Sequence, residues 1–189
     1  MKKVGILGGT FDPPHHGHLL IANEVLSTLL LDEIWFMPNG DPPHKKKSEL
    51  VKNKDRLRML ELALEGNGQF KIEPIEFERQ GPSFTIDTMR MLKSIYQDYQ
   101  FYFIIGADMV EYLPKWHGID ELIEVVKFVG VKRPSYSHQT NYPVQYIDVP
   151  AMEVSSSLIR KRLKEGKSVR YLMPDSVIEY IRGGGLYGS

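Results

Sequence analysis

The first apolar run along the chain, Val4-Gly5-Ile6-Leu7, is stopped at once by Gly8-Gly9. A short apolar stretch without polar alternation reads as a strand buried on both faces. The spacing then changes: Leu19, Leu20, Ala22, Val25, Leu26 and Leu29 recur at threes and fours, predicting a helix that begins near Gly17-His18. Glu33 to Met37 is the next strand, stopped by Pro38-Asn39-Gly40, and a polar loop from Asp41 to Asn53 leads into a helix carrying Leu57, Leu60, Ala63 and Leu64. A strand around Phe70 to Phe77 and a helix from about Thr85, burying Met89, Leu92 and Ile95, follow. Phe101 to Ile105 is continuous in apolar and aromatic residues and is closed by Gly106. Asp120 is placed to cap a helix through Val126, and Phe128 to Val131 and Gln145 to Val149 read as short strands. Two helices finish the pattern: Ser155 to Lys164, stopped by Gly166, and Pro174 to Arg182, stopped by Gly183.

Strands alternating with helices, the strands almost wholly apolar, predict an α/β fold: a doubly wound, mainly parallel sheet with helices on both faces. The last two helices form a small helical C-terminal part. A chain of 189 residues suits one domain, 1–189. In such a sheet, ligands bind beyond the carboxyl ends of the strands. Gly8-Gly9 and Gly106 stand at two of those ends.

Composition narrows the function. Lys plus Arg and Asp plus Glu number 24 each, which argues against a nucleic-acid binder and requires any anion site to be local. The absence of cysteine excludes disulfides and Cys-ligated metals and fits a reducing compartment. MKKVGILGG breaks its apolar run too early for a secretory signal, and no stretch approaches the roughly 20 apolar residues of a membrane span. The expectation is a cytoplasmic protein with no membrane partner.

Candidate chemistry concentrates in the segment GGTFDPPHHGH, Gly8 to His18. Its setting is strand, tight turn, helix. Glycines allow close backbone approach, and a helix N-terminus offers N–H groups and a positive dipole end, so this is anion-binding architecture. Neither the GxGxxG nor the GxxxxGK[ST] spacing occurs in it. Instead it offers His15 and His18, whose imidazoles can donate to phosphate oxygens. Pro13-Pro14 stiffens the approach, and Gly17 is expected to leave room for phosphate above the first helical turn. Far along the chain, Ser155-Ser156-Ser157 opens a helix with hydroxyl and N–H donors, and Arg160 lies about a turn and a half onward.

These two segments resemble the paired signatures of the nucleotidylyltransferase superfamily, His15-His16-Gly17-His18 as HxGH and Val154 to Arg160 as ISSTxIR. Further stretches are similar to the bacterial nicotinate-nucleotide adenylyltransferase family: Pro42 to Lys45, Gly81 to Thr85, Ile104 to Met109, Tyr112 to Trp116 and Gly183 to Tyr187. The resemblance runs from residue 3 to the tail. It implies a Rossmann-like fold and transfer of AMP from ATP to nicotinate mononucleotide, giving deamido-NAD and pyrophosphate.

The resemblance also implies roles. His15, His18, Arg160 and Lys45 would be catalytic. ATP would be held by Gly8, Gly9, Thr10, Phe11, His15, His18, Gly106, Asp108, Arg133, Ser156, Ser157 and Arg160. Nicotinate mononucleotide would meet Thr85, Met109, Tyr112, Trp116 and Lys45. Trp116 offers a cationic nicotinate ring its best aromatic face, Asp108 could accept from a ribose hydroxyl or cap the next helix, and Gly106 would let adenosine lie against the backbone. Mg2+ would arrive on the ATP phosphates, with no dedicated protein metal site. Phe84, His117 and Ser157 depart from the usual family residues, the first two at the expected nicotinate pocket. Readings left open are another transferase of the superfamily, a nucleotide sensor, and monomer or homodimer.

Overall fold

The computed structural model describes residues 1–40, 51–79, 84–132 and 140–189, with every side chain among them except that of Ala107. Six strands among these residues form one sheet: β1 (Lys2–Gly9), β2 (Glu33–Pro38), β3 (Phe70–Ile72), β4 (Tyr99–Gly106), β5 (Lys127–Val131) and β6 (Val144–Ile147). Their order is β3-β2-β1-β4-β5-β6 and every pairing is parallel. The helices are α1 (His16–Thr28), α2 (Asn53–Leu64), α3 (Thr85–Ile95), α4 (Ala107–Val110), α5 (Ile119–Val125), α6 (Ser156–Lys164) and α7 (Asp175–Gly183).

Side chains on a strand alternate between faces, and here both faces are covered. Val4, Ile6, Phe101, Phe103, Ile105 and Phe128 point to the side where Met89 and Leu92 of α3 and Leu122 of α5 pack. Leu7, Tyr102, Ile104 and Val129 point to the opposite side, against Val25 and Leu26 of α1 and Leu60 and Leu64 of α2. A third apolar cluster joins Met59 and Ala63 of α2 to Ile159 and Leu163 of α6 and Val177, Ile178 and Ile181 of α7. The expected helical C-terminal part is thus fastened to the outer face of α2.

Five local expectations are corrected. Ile95, expected among the buried residues of α3, is exposed at the end of that helix. The strand expected to reach Phe77 ends at Ile72, because Pro74 brings no N–H to a ladder; residues Ile75–Phe77 form a 3-10 turn instead. Asp120 is not the cap of α5: Gly118, at φ 66°, holds that place, and Asp120 sits in the first turn. Asp108 does not cap a helix over 109–113, since it lies within α4 behind Gly106, and a 3-10 turn covers Leu113–Lys115. The last strand runs Val144–Ile147 and stops short of Val149.

Topology places the site. From β1 the chain winds outward to β2 and β3, then returns to begin the other half at β4. Such a reversal opens a crevice between the two central strands at their carboxyl ends. Leu7 pairs with Ile104, so the ends at Gly9 and Gly106 emerge side by side.

Candidate active site

The loop after β1 is held rather than free. Phe11 adopts φ 50°, the Asp12–Pro13 peptide is cis, and Phe11, Asp12, Pro13 and Pro14 are all buried. Phe11 turns into the core at 1% exposure, edge-on to His18 at 4.9 Å and tilted against Phe36 at 5.7 Å. What it can offer a ligand is therefore backbone. A Cβ on Gly9 would meet the Phe11 ring at 3.0 Å, so the second glycine exists to let that ring underlie the loop.

His15 is the N-cap of α1, and its ring stacks on His18 with centroids 3.7 Å apart. The His15 backbone N–H donates to His18 Nδ1 at 3.2 Å. An accepting Nδ1 carries no proton, so the His18 proton sits on Nε2, where it is a donor. Burial, and secondly the nearby His15, hold the His18 imidazole well below its ordinary value. His18 is then a neutral, directed donor rather than a cation. Gly17 has a reason its sequence does not show: a Cβ there would lie 3.0 Å from the His15 ring. Among the described residues it makes room for an imidazole. The first N–H of α1 is also taken, since His16 donates to the Leu172 carbonyl at 2.9 Å.

The two distant signatures meet at this loop. Ser155 caps α6 by accepting the Leu158 N–H at 3.1 Å, as its residue type favours. Ser156 Oγ donates to the Pro13 carbonyl at 2.8 Å, and Arg160 Nη1 donates to the Asp12 carbonyl at 2.8 Å. Arg160 Nη2 reaches back to Ser157 Oγ at 3.3 Å. Imidazoles, serine hydroxyls and a guanidinium thus converge at the carboxyl end of β1, a setting suited to oxygen-rich anions. Asp12 itself is fully buried, and Tyr187, from a 3-10 turn over Leu186–Gly188, donates its hydroxyl to Asp12 Oδ1 at 2.5 Å. Burial, and then the Asp12 charge, push the Tyr187 phenol well above its ordinary value, so it stays a donor.

At the end of β4 the pieces are more open. A Cβ on Gly106 would come within 2.4 Å of Asp108 Oδ1, so this glycine accommodates a carboxylate folded back over it. Thr85 opens α3, and Trp116 follows the 3-10 turn half-buried, edge-to-face with Phe103 at 5.9 Å and Phe128 at 6.0 Å. Met109 and Tyr112 are exposed. Phe84 and His117, the two departures from the family pattern, lie against each other with centroids 4.4 Å apart. Lys45 and Arg133 fall outside the described residues, as do residues 42–44 and 81–83.

Two residues with no role in the sequence reading now stand out. Arg56 of α2 is 0% exposed and donates to the carbonyls of Thr10 and Asn39. Its signal was available: Arg56 falls three, four and seven residues before Met59, Leu60 and Ala63, on the apolar face. The other is Tyr187: the stretch Gly183 to Tyr187 carries part of the family resemblance, but nothing local points to its tie with Asp12, 175 residues away.

Comparison with known proteins bears on this site. The cytidylyltransferase-like family model matches residues 6–162. The nicotinate-nucleotide adenylyltransferase of Bacillus subtilis is 55% identical over 189 residues, covering 100% of both chains. A Geobacillus thermodenitrificans protein named "Probable nicotinate-nucleotide adenylyltransferase" is 60% identical, over 100% of this chain and 88% of its own. Among solved structures, Plasmodium falciparum nicotinic acid mononucleotide adenylyltransferase complexed with NaAD superimposes with a TM-score of 0.85. That match covers 100% of this chain and 98% of the other at 21% identity, a likeness of fold.

Proposed function

Since the chain belongs to the nicotinate-nucleotide adenylyltransferases, within the cytidylyltransferase-like family, we propose that it transfers AMP from ATP to nicotinate mononucleotide. The products are deamido-NAD and pyrophosphate. The observation that carries this reading is the direct hydrogen bonding of α6 to the His15–His18 loop, Arg160 to the Asp12 carbonyl and Ser156 to the Pro13 carbonyl. It brings phosphate-seeking groups from both signatures to one strand end.

The 5′-phosphate oxygen of the mononucleotide attacks the α-phosphorus of ATP in line. The new O–P bond forms as the bond to the β-phosphate bridging oxygen breaks, and pyrophosphate leaves. A phosphate is already ionised at neutral pH, so the nucleophile needs no base. Catalysis is positioning and stabilisation of charge on phosphate oxygens. His18 donates from Nε2 and His15 from its own imidazole, while Ser156, Ser157 and Arg160 hold the β- and γ-phosphates. Lys45 adds charge to them and to the mononucleotide phosphate, and Arg133 contacts the adenylate. Gly8, Gly9, Thr10 and Phe11 present backbone to ATP, and Asp108 beside Gly106 accepts from its ribose. Thr85, Met109, Tyr112 and Trp116 receive the nicotinate.

Mg2+ would be carried on the ATP phosphates, where it would neutralise charge. A cytoplasmic site of action fits a chain without cysteine whose described helices are all too short or too polar to cross a membrane.

The deciding experiment measures pyrophosphate release from ATP with nicotinate mononucleotide, nicotinamide mononucleotide and phosphopantetheine in parallel. Nicotinate mononucleotide is expected to dominate. Dominant turnover of phosphopantetheine would overturn the assignment.

A further inference from the structure

Arg56 has no part in the chemistry above, yet it is among the costliest side chains the fold buries. Desolvating a guanidinium is justified only by well-placed acceptors, and here they come from two crossover loops and from Asn53 of the same helix. Nη1 donates to the Thr10 carbonyl at 3.0 Å and the Asn39 carbonyl at 2.8 Å. Nη2 donates to Asn53 Oδ1 at 2.7 Å and reaches the Gly40 carbonyl at 3.4 Å. The Phe77 ring lies 4.8 Å from the guanidinium carbon. Thr10 follows β1 and Asn39 follows β2, so one planar fork spans the carboxyl ends of neighbouring strands.

Gly40 is gripped from its other side as well. Its N–H donates to the Glu76 carboxylate, a group whose pKa burial raises. Glu76 Oε1 accepts the Thr88 hydroxyl at 3.1 Å, and Thr88 also takes a bond from Arg79 at 2.7 Å. Thr88 lies three residues beyond Thr85 on α3. A connected polar path therefore runs from the loop that leads to His15 and His18, through Gly40, to the start of the helix that opens with Thr85.

We infer that Arg56 is a positioning residue, setting the Thr10 backbone after β1 against the Asn39–Gly40 turn after β2. This rests on the adenylyl-transfer reading, in which Thr10 and its neighbours present backbone to ATP. Packing alone does not explain the choice. An apolar side chain would fill the volume without the desolvation cost, and an ammonium would supply charge without the rigid fork.

The test uses Arg56→Ala and Arg56→Lys in the full chain, with thermal melts confirming the fold. Three quantities are measured: kcat, KM for each substrate, and amide hydrogen exchange over residues 8–12 and 38–40. In Arg56→Ala kcat should fall about 100-fold, the scale of a small misplacement at a reacting centre, with KM for nicotinate mononucleotide far less affected. N-ethylguanidinium should restore turnover and exchange protection, whereas ethylammonium should not. Arg56→Lys should also lose turnover despite keeping the charge, and it carries the test should Arg56→Ala not fold. Wild-type kcat in a folded variant, or a loss that guanidinium leaves uncorrected, overturns the inference. Should the wild type itself release no pyrophosphate, the functional reading fails. Exchange in the two segments then still decides the positioning role: a rise reversed by guanidinium upholds it, and no rise refutes it.

Discussion

Replacing Tyr187 by Phe isolates one buried bond. The Tyr187 hydroxyl donates to Asp12 Oδ1 at 2.5 Å, Asp12 is 0% exposed, and its Oδ2 has no hydrogen-bond partner among the described residues. The ring remains in Tyr187→Phe, so the perturbation is one oxygen and its proton. A hydrogen bond to a charged group is worth about 1.5–3 kcal/mol, and the upper end applies because neither carboxylate oxygen keeps a donor. Arg160 and Arg56 lie close enough to act on the Tyr187 phenol. Their charges persist in the variant and hold the cost near that bond rather than at the larger cost of an unpaired buried charge. At about 2–4 °C per kcal/mol for a chain of this size, a loss of about 3 kcal/mol lowers Tm by roughly 6–12 °C. The assay is calorimetry on Tyr187→Phe, Asp12→Asn and the double variant, with kcat measured alongside. The cycle should show a coupling of about 1–3 kcal/mol, and kcat should fall because the Asp12 and Pro13 carbonyls anchor α6. A Tm loss below about 2 °C, or strict additivity in the cycle, would refute the reasoning.

Three further outcomes are expected. Gly17→Ala places a Cβ 3.0 Å from the His15 ring and should lower kcat at least about tenfold by displacing that imidazole, with little change in Tm; full activity would remove the steric account. His18 is held well below the ordinary 6.5. The unfolded chain therefore binds a proton first as pH falls, and the stability tied to neutral His18 is full above 6.5 and is lost on acidification toward its folded value. Melts of wild type and His18→Gln across that range should diverge on the acid side, and parallel curves would contradict the shift. Trp116→Ala should raise KM for nicotinate mononucleotide while leaving that for ATP nearly unchanged; an unaltered mononucleotide KM would take Trp116 out of the pocket.

Much of the fold was legible because its strands are unbroken apolar runs. Val4 to Leu7 and Phe101 to Ile105 could be read directly, and they proved to be the two central strands flanking the crevice. The helices at Leu19, Leu57 and Met89 followed from spacing alone. Phe70 to Phe77 misled because Ile72, Ile75 and Phe77 are apolar, while Pro74 decides whether the backbone can pair. Asp120 misled because acidic residues serve equally at a cap and in a first turn, and only the left-handed φ of Gly118 separates the two. At the site, the meeting of His15 and His18 with Ser156 and Arg160 was foreseeable from two signatures. The reasons for Gly17 and Gly106 were not, since each yields to a neighbouring side chain whose direction no local pattern encodes. Arg56 shows its burial in the spacing to Met59, Leu60 and Ala63, but Thr10, its partner, and Asp12, that of Tyr187, lie 46 and 175 residues away and leave no periodic trace.

The Tyr187 contact also sets a schedule for making the molecule. Translation delivers Asp12 early and its phenolic partner 175 positions later, with the α6 donors for the same loop only slightly ahead. A ribosome-bound chain that already holds β1, β2 and β4 still lacks the Ser156, Arg160 and Tyr187 bonds to Asp12 and Pro13. A premature stop between codons 148 and 155 would yield a product with all six described strands present but without Ser156, Arg160 and Tyr187 to bond that turn.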